Sequence, residues 1–124
     1  TGAATVNNTG TLKIDAGISL ANDVTVNQGG TIAASGATIG SLTVNGGTVL
    51  VTFGAGALAI DTTADLAGAA LAYSGTPPKA PATVIAAAGG VSGKFASVPD
   101  KLSVIYTATT VEIAQRGGTT IVVR

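Results

Sequence analysis

The phrase Val26-Asn27-Gln28-Gly29-Gly30-Thr31-Ile32 recurs on both sides of itself, and this recurrence restricts the fold more than any other feature of the chain. Upstream stands Val6-Asn7-Asn8-Thr9-Gly10-Thr11-Leu12, 20 residues earlier. Downstream stands Val44-Asn45-Gly46-Gly47-Thr48-Val49, 18 residues later and one residue shorter. A weaker fourth copy reads at Ile60-Asp61-Thr62-Thr63-Ala64-Asp65-Leu66, with Asp in place of Asn. Self-similarity at a short period marks stacked architectures, in which each repeat buries its apolar face against its neighbours.

The local pattern says what each repeat is made of. Thr11-Leu12-Lys13-Ile14-Asp15 alternates apolar and polar residues, as a half-buried strand does, and Val24-Thr25-Val26 and Leu42-Thr43-Val44 follow suit. Ile18-Ser19-Leu20 and Thr38-Ile39 supply a third side. From Ala4 to about Ile60 no stretch has helical apolar spacing, and glycine recurs too often for one; further on, Ala67-Gly68-Ala69-Ala70-Leu71-Ala72 has a short helix as the alternative to coil. Asn-Gly between strands is also a hairpin signal, so a β-meander competes. Copies every 18 to 20 residues, each with two or three short strands, instead match one coil of a parallel β-helix. Val6, Val26 and Val44 then form one internal column, and Leu12, Ile32 and Val49 another. Asn7, Asn27 and Asn45 stack at a corner, where amides hydrogen-bond along the axis. The expectation is five or six coils, roughly 25 to 30 Å of stack at about 4.8 Å per rung.

Composition fits this plan. Two Phe, two Tyr, no Trp and no Met leave a core of small and β-branched side chains, which suit closely stacked strands. Six basic residues balance six acidic ones without clustering, so nothing points to nucleic acid or an anionic membrane surface. Near-zero net charge favours self-contact. No apolar run is long enough for a membrane span. The chain opens at Thr1 without a basic-then-apolar leader and reads as a processed product or an excised piece.

Further along, Ala55 to Ala72 reads as two more narrow coils through Leu58, Ile60, Leu66, Leu71 and Tyr73. Gly75-Thr76-Pro77-Pro78-Lys79-Ala80-Pro81 is a loop that leaves the stack, since proline donates nothing to a ladder. Thr83 to Ala88 is a buried strand, and Leu102 to Tyr106 with Thr110 to Ala114 form an antiparallel hairpin. Such a hairpin covers the bare end of a solenoid. The division expected is coils over 1–82, capping strands over 83–115 and a terminal strand over 116–124.

Gly90-Val91-Ser92-Gly93-Lys94-Phe95, followed by Leu102-Ser103-Val104-Ile105-Tyr106 and Thr110-Val111-Glu112-Ile113, resembles the C-terminal part of autotransporter passenger domains and autotransporter-associated repeat proteins of bacterial surfaces. The Asn-x-Gly-Gly-Thr coils are similar to the same family's repeats, so the resemblance covers nearly the whole chain. It implies an all-β, right-handed parallel β-helix (solenoid) with a C-terminal β-hairpin cap, at the bacterial cell surface. In place of the membrane translocator that follows a passenger, the chain continues with Arg116-Gly117-Gly118 and a fresh strand, Thr119 to Arg124.

Without His or Cys there is no Ser-His-Asp or Cys-His triad, no thiolate metal site and no disulfide. Glycosidic hydrolysis needs two carboxylates in a cleft, and Asp61 with Asp65 is the closest pair in sequence; both read as solvated turn residues. Calcium at Asp15, Asp23 or Asp61 lacks the repeated Gly-Gly-x-Gly-x-Asp of nonapeptide sites. Phe53, Tyr73, Phe95 and Tyr106 read as coil and cap packing rather than a ligand platform. No catalytic, metal or cofactor residue is assigned. The tail is the exception: Thr119, Thr120, Ile121, Val122 and Val123 form either another edge strand of the same cap or a strand that reaches another copy at the Val6 and Asn7 end. The expectation is an extracellular structural protein, a head-to-tail homo-oligomer assembling into a fibre or surface layer. Alternatives are an adhesin passenger fragment binding glycans or host surfaces and a degenerate polysaccharide-active enzyme.

Overall fold

A computed structural model describes residues 3–7 and 9–115. Fourteen strands and no helix make up these residues. They wind as a parallel β-solenoid with three sheets.

Sheet A stacks β1 (Ala3–Val6), β3 (Asp23–Asn27), β6 (Ser41–Asn45), β9 (Thr63–Asp65) and β12 (Gly90–Ser92) in that order, every pair parallel. Sheet B stacks β2 (Thr11–Lys13), β4 (Thr31–Ala33), β7 (Thr48–Thr52) and β10 (Ala70–Ser74), again all parallel. Sheet C begins with a bridge from Ser19 to β5 (Thr38–Ile39) and continues through β8 (Leu58–Ile60) and β11 (Ala82–Ala87). It then changes sense. β14 (Thr110–Gln115) lies antiparallel on β11, and β13 (Leu102–Tyr106) lies antiparallel on β14 as the outer edge.

The repeat columns are present as the spacing requires. Val6, Val26 and Val44 are register partners, and so are Leu12, Ile32, Val49 and Leu71. Val26 and Ile32 are fully enclosed, and each such burial stabilises the fold by about 1.5 to 3 kcal/mol. Ile18-Ser19-Leu20 does form a third side, through the Ser19–Thr38 bridge.

The coil count is lower than expected. Three turns carry strands in all three sheets, with a partial turn at each end, instead of five or six coils. Coils lengthen along the chain: Asp23 follows its partner Ala3 by 20 residues and Ser41 follows Asp23 by 18, but Gly90 follows Thr63 by 27. The added residues lie in the corner around Phe53 to Ala57 and in the loop from Gly75 to Pro81, neither of which adds a rung. Five levels in sheet A span about 19 Å at the usual rung spacing, less than the 25 to 30 Å expected.

Two local expectations change with it. Ala55 to Ala72 is not two narrow coils: Leu58 and Ile60 close one turn in sheet C, while Leu66 and Leu71 belong to the next. The fourth repeat copy is also displaced. Ala64 pairs with Leu42 and Asp65 with Thr43, so Leu66-Ala67, not Ile60-Asp61, continues the Val-Asn positions. Ala67 stands where the earlier copies have Asn, so the sequence similarity is weaker there.

The parallel stack runs through β12, and the cap follows. Its own Leu102, Val111 and Ile113 turn inward and are fully buried, and Phe95 nearly so. The Phe95 amide donates to the Tyr106 hydroxyl at 3.0 Å, and the Val91 amide donates to the Ala108 carbonyl at 2.9 Å. The hairpin is thereby tied to the last rung.

Candidate functional site: the two ends of the stack

The ends of this solenoid differ. At the C-terminal end, sheet C is continued by the antiparallel hairpin, and sheet B is met by Ser97, whose carbonyl accepts from the Leu71 amide at 2.9 Å. At the N-terminal end, β1, β2 and Ser19 are the outermost rung, and among the described residues no strand pairs with their outward edges. An unpaired strand edge is a template for strand addition.

Side chains follow the same asymmetry. Ala4, Leu12 and Leu20 of the outermost rung are half-buried against the core, whereas their inner counterparts are enclosed. Ile18 at this end is 48 % exposed, the most exposed large apolar side chain among the described residues. Val6 sits inward on β1 and Asn7 at the exposed corner, both at this end as the repeat implies. Thr119, Thr120, Ile121, Val122 and Val123 lie outside the described residues. β2 and Ile18 belong to the same end; sequence reading placed them as a strand and a third side but did not count them among the self-association residues.

At the corner, the Asn27 side-chain amide donates to the Asn7 side-chain oxygen at 2.9 Å, and Asn45 donates to Asn27 at 3.5 Å. Both are exposed bonds, each worth about 1 kcal/mol or less. They lock the register of three coils.

The acidic candidates are dispersed. Asp61 follows β8 and is exposed; Asp65 ends β9 in a different sheet, and its carboxylate accepts from the Ala67 amide at 3.1 Å. Asp23 accepts from the Ser41 hydroxyl at 2.9 Å, and Asp15 lies exposed in the turn before Ile18. No group of three acidic residues able to hold a metal occurs among the described residues. Shallow grooves open on the surface of the described residues. One of about 340 Å³ runs past Ala59, Asp61, Ala86, Ala88 and Thr109, with Asp61 its single ionisable lining residue. Another, about 240 Å³, lies beside Phe53, Gly54, Gly56 and Thr83 and has no ionisable lining residue.

The aromatic residues pair off in packing. Phe53 and Tyr73 have ring centroids 5.6 Å apart and tilted, both half-buried on the core. Phe95 and Tyr106 stand 6.4 Å apart within the cap, with Lys94 Nζ 5.5 Å from the Tyr106 ring centroid.

No family model matches this chain, and neither a curated protein nor a solved structure matches it.

Proposed function

We propose that this chain is a structural protein of the autotransporter-passenger kind, exposed at a bacterial surface, whose copies associate end to end into a fibre or layer. The observation that carries this reading is the contrast between the ends of the stack. The hairpin's own Leu102 and Ile113 turn inward and are fully buried, while Leu12 and Leu20 are only half-buried on an outer rung that no strand pairs with among the described residues. One end that accepts and another that supplies makes a heterologous contact, which propagates rather than closes. Low net charge removes the repulsion that would oppose it.

Light scattering and electron microscopy of the full chain, beside a chain ended after Gln115, test the reading. Assemblies from the full chain that vanish on truncation support it; two monomeric samples overturn it.

A second reading, an adhesin passenger fragment that binds glycans, has the groove bordered by Phe53 in its favour, because sugar rings stack on aromatic faces. Glycan-array binding that is lost on Phe53→Ala supports that reading.

A further inference from the structure

The third Val-Asn corner is shorter than the one before it. Val26 and Val44 are register partners, as are Thr31 and Thr48, so Val26-Asn27-Gln28-Gly29-Gly30-Thr31 and Val44-Asn45-Gly46-Gly47-Thr48 cross between the same two sheets, the second with one residue fewer. The place that drops out is that of Gln28, between the asparagine and the glycines.

Both members of the resulting Asn-Gly pair are fixed by the stack. Asn45 continues the row of Asn7 and Asn27 and donates to the Asn27 side-chain oxygen at 3.5 Å. Gly46 takes a φ of +87°, a conformation that favours glycine, and a Cβ on Gly47 would lie 2.4 Å from Val26 Cγ1 and 2.8 Å from the Asn27 carbonyl oxygen. Row and corner together set an asparagine directly before a glycine. Asn7, Asn8, Asn22 and Asn27 are each followed by a residue with a side chain.

Glycine has no side chain to shield its backbone nitrogen from the amide before it. Asn45 and Gly46 are both exposed, and the closest atom to a Cβ built on Gly46 is Gln28 Cβ at 3.5 Å, which leaves room beside the pair. Asn45 is also held more loosely than Asn27. Asn27 is half-buried, donates at 2.9 Å and accepts from Asn45, whereas Ala67, at the next place in the row, has no side-chain amide to offer Asn45.

We infer that Asn45-Gly46 is a deamidation site of the folded chain, restrained by the bond from Asn45 to Asn27. The Gly46 nitrogen gives its proton to solvent and attacks Asn45 Cγ. The new N–Cγ bond closes a cyclic imide, the Cγ–Nδ2 bond breaks, and the side-chain nitrogen takes up a proton and leaves as ammonia. Water then opens the imide at one carbonyl or the other, giving aspartate or isoaspartate. Either product sets a carboxylate where the row needs a donor, and a carboxylate has no N–H for the Asn27 oxygen. Isoaspartate also adds a carbon to the backbone, at the corner where Gly47 already stands against Val26 and Asn27. The Asn row is thereby unfastened between two adjacent coils.

The full chain, held in warm, mildly alkaline buffer and sampled over days, tests this by mass spectrometry of its proteolytic fragments. Asn45 is expected to gain the mass of an amide-to-acid change several times faster than Asn22 or Asn27, with isoaspartate among the products as the mark of the cyclic imide. Its rate should hold steady in urea below the unfolding transition, because the folded chain reacts. Asn27→Ala removes the acceptor and should raise the Asn45 rate several-fold under conditions where the variant is fully folded, while Asn7→Ala keeps that acceptor and should leave the rate unchanged. An Asn45 rate no faster than that of Asn22 or Asn27, or one that climbs with the unfolded fraction, overturns the site. Equal Asn45 rates in Asn27→Ala and Asn7→Ala overturn the restraint by the row.

Discussion

The side-chain amide of Asn27 donates to the side-chain oxygen of Asn7, twenty residues earlier, at 2.9 Å, and its own oxygen accepts from Asn45 at 3.5 Å. One residue thus joins three coils. Asn27→Ala removes both bonds and is expected to cost about 1 to 2 kcal/mol, whereas Asn7→Ala removes one bond at the end of the row and costs about 1 kcal/mol or less. Urea unfolding of both variants, with unchanged slopes, checks the order; equal losses would mean that the ladder is not shared.

Gly47 and Gly54 separate close approach from backbone conformation. Gly47→Ala drives a methyl group into Val26 and the Asn27 carbonyl, at 2.4 and 2.8 Å, and is expected to cost about 3 kcal/mol. Gly54 has open space around it but a φ of +93°, so Gly54→Ala costs only about 1 kcal/mol of conformational strain. Thermal unfolding ranks the two, and a larger loss at Gly54 would contradict the stacking register of β7.

The sequence states the columns plainly and the coil count poorly, for a physical reason. Val6, Val26 and Val44, and Asn7, Asn27 and Asn45, must match because register partners stack directly, and direct stacking enforces similar side chains. Corners carry no such constraint. The Phe53–Ala57 and Gly75–Pro81 segments lengthen later coils without a rung, and Ala67 breaks the Asn row where the fourth copy would have been aligned. The Gln115 clasp on Pro77 and Pro78 joins residues 38 apart in sequence with no periodic signal, and nothing in the residue types announces it. At the candidate site, Val6 and Asn7 were legible from the repeat; the open edge of β2 needed the sheet order.

The cap hangs on a hydroxyl. Tyr106→Phe keeps the ring against Phe95 but leaves the Phe95 amide without its 3.0 Å partner, and is expected to cost about 1 to 2 kcal/mol. Lys94→Ala removes only an exposed contact with the same ring and costs about 0.5 to 1 kcal/mol. Hydrogen exchange at Phe95 should rise in Tyr106→Phe and stay slow in Lys94→Ala; protection in both would remove the hydroxyl from the account.

Ile32 and Leu12 occupy one row at different depths. Ile32→Ala empties a fully enclosed place and is expected to cost about 3 to 4 kcal/mol, while Leu12→Ala costs about 1 to 2 kcal/mol in the monomer because the outer rung is open. On the proposed end-to-end association, Leu12→Ala has a second effect. Scattering intensity at a fixed concentration should fall in Leu12→Ala relative to the parent chain, and an unchanged intensity would place the contact elsewhere.

On the proposed end-to-end association, a chain ended after Gln115 would accept a neighbour at its N-terminal rung and offer none. Mixed in small amounts with the full chain, it should terminate growth, and sedimentation velocity should show assemblies shortening in proportion to the fraction added. Assemblies whose length is indifferent to the truncated chain would contradict end-to-end association through the tail.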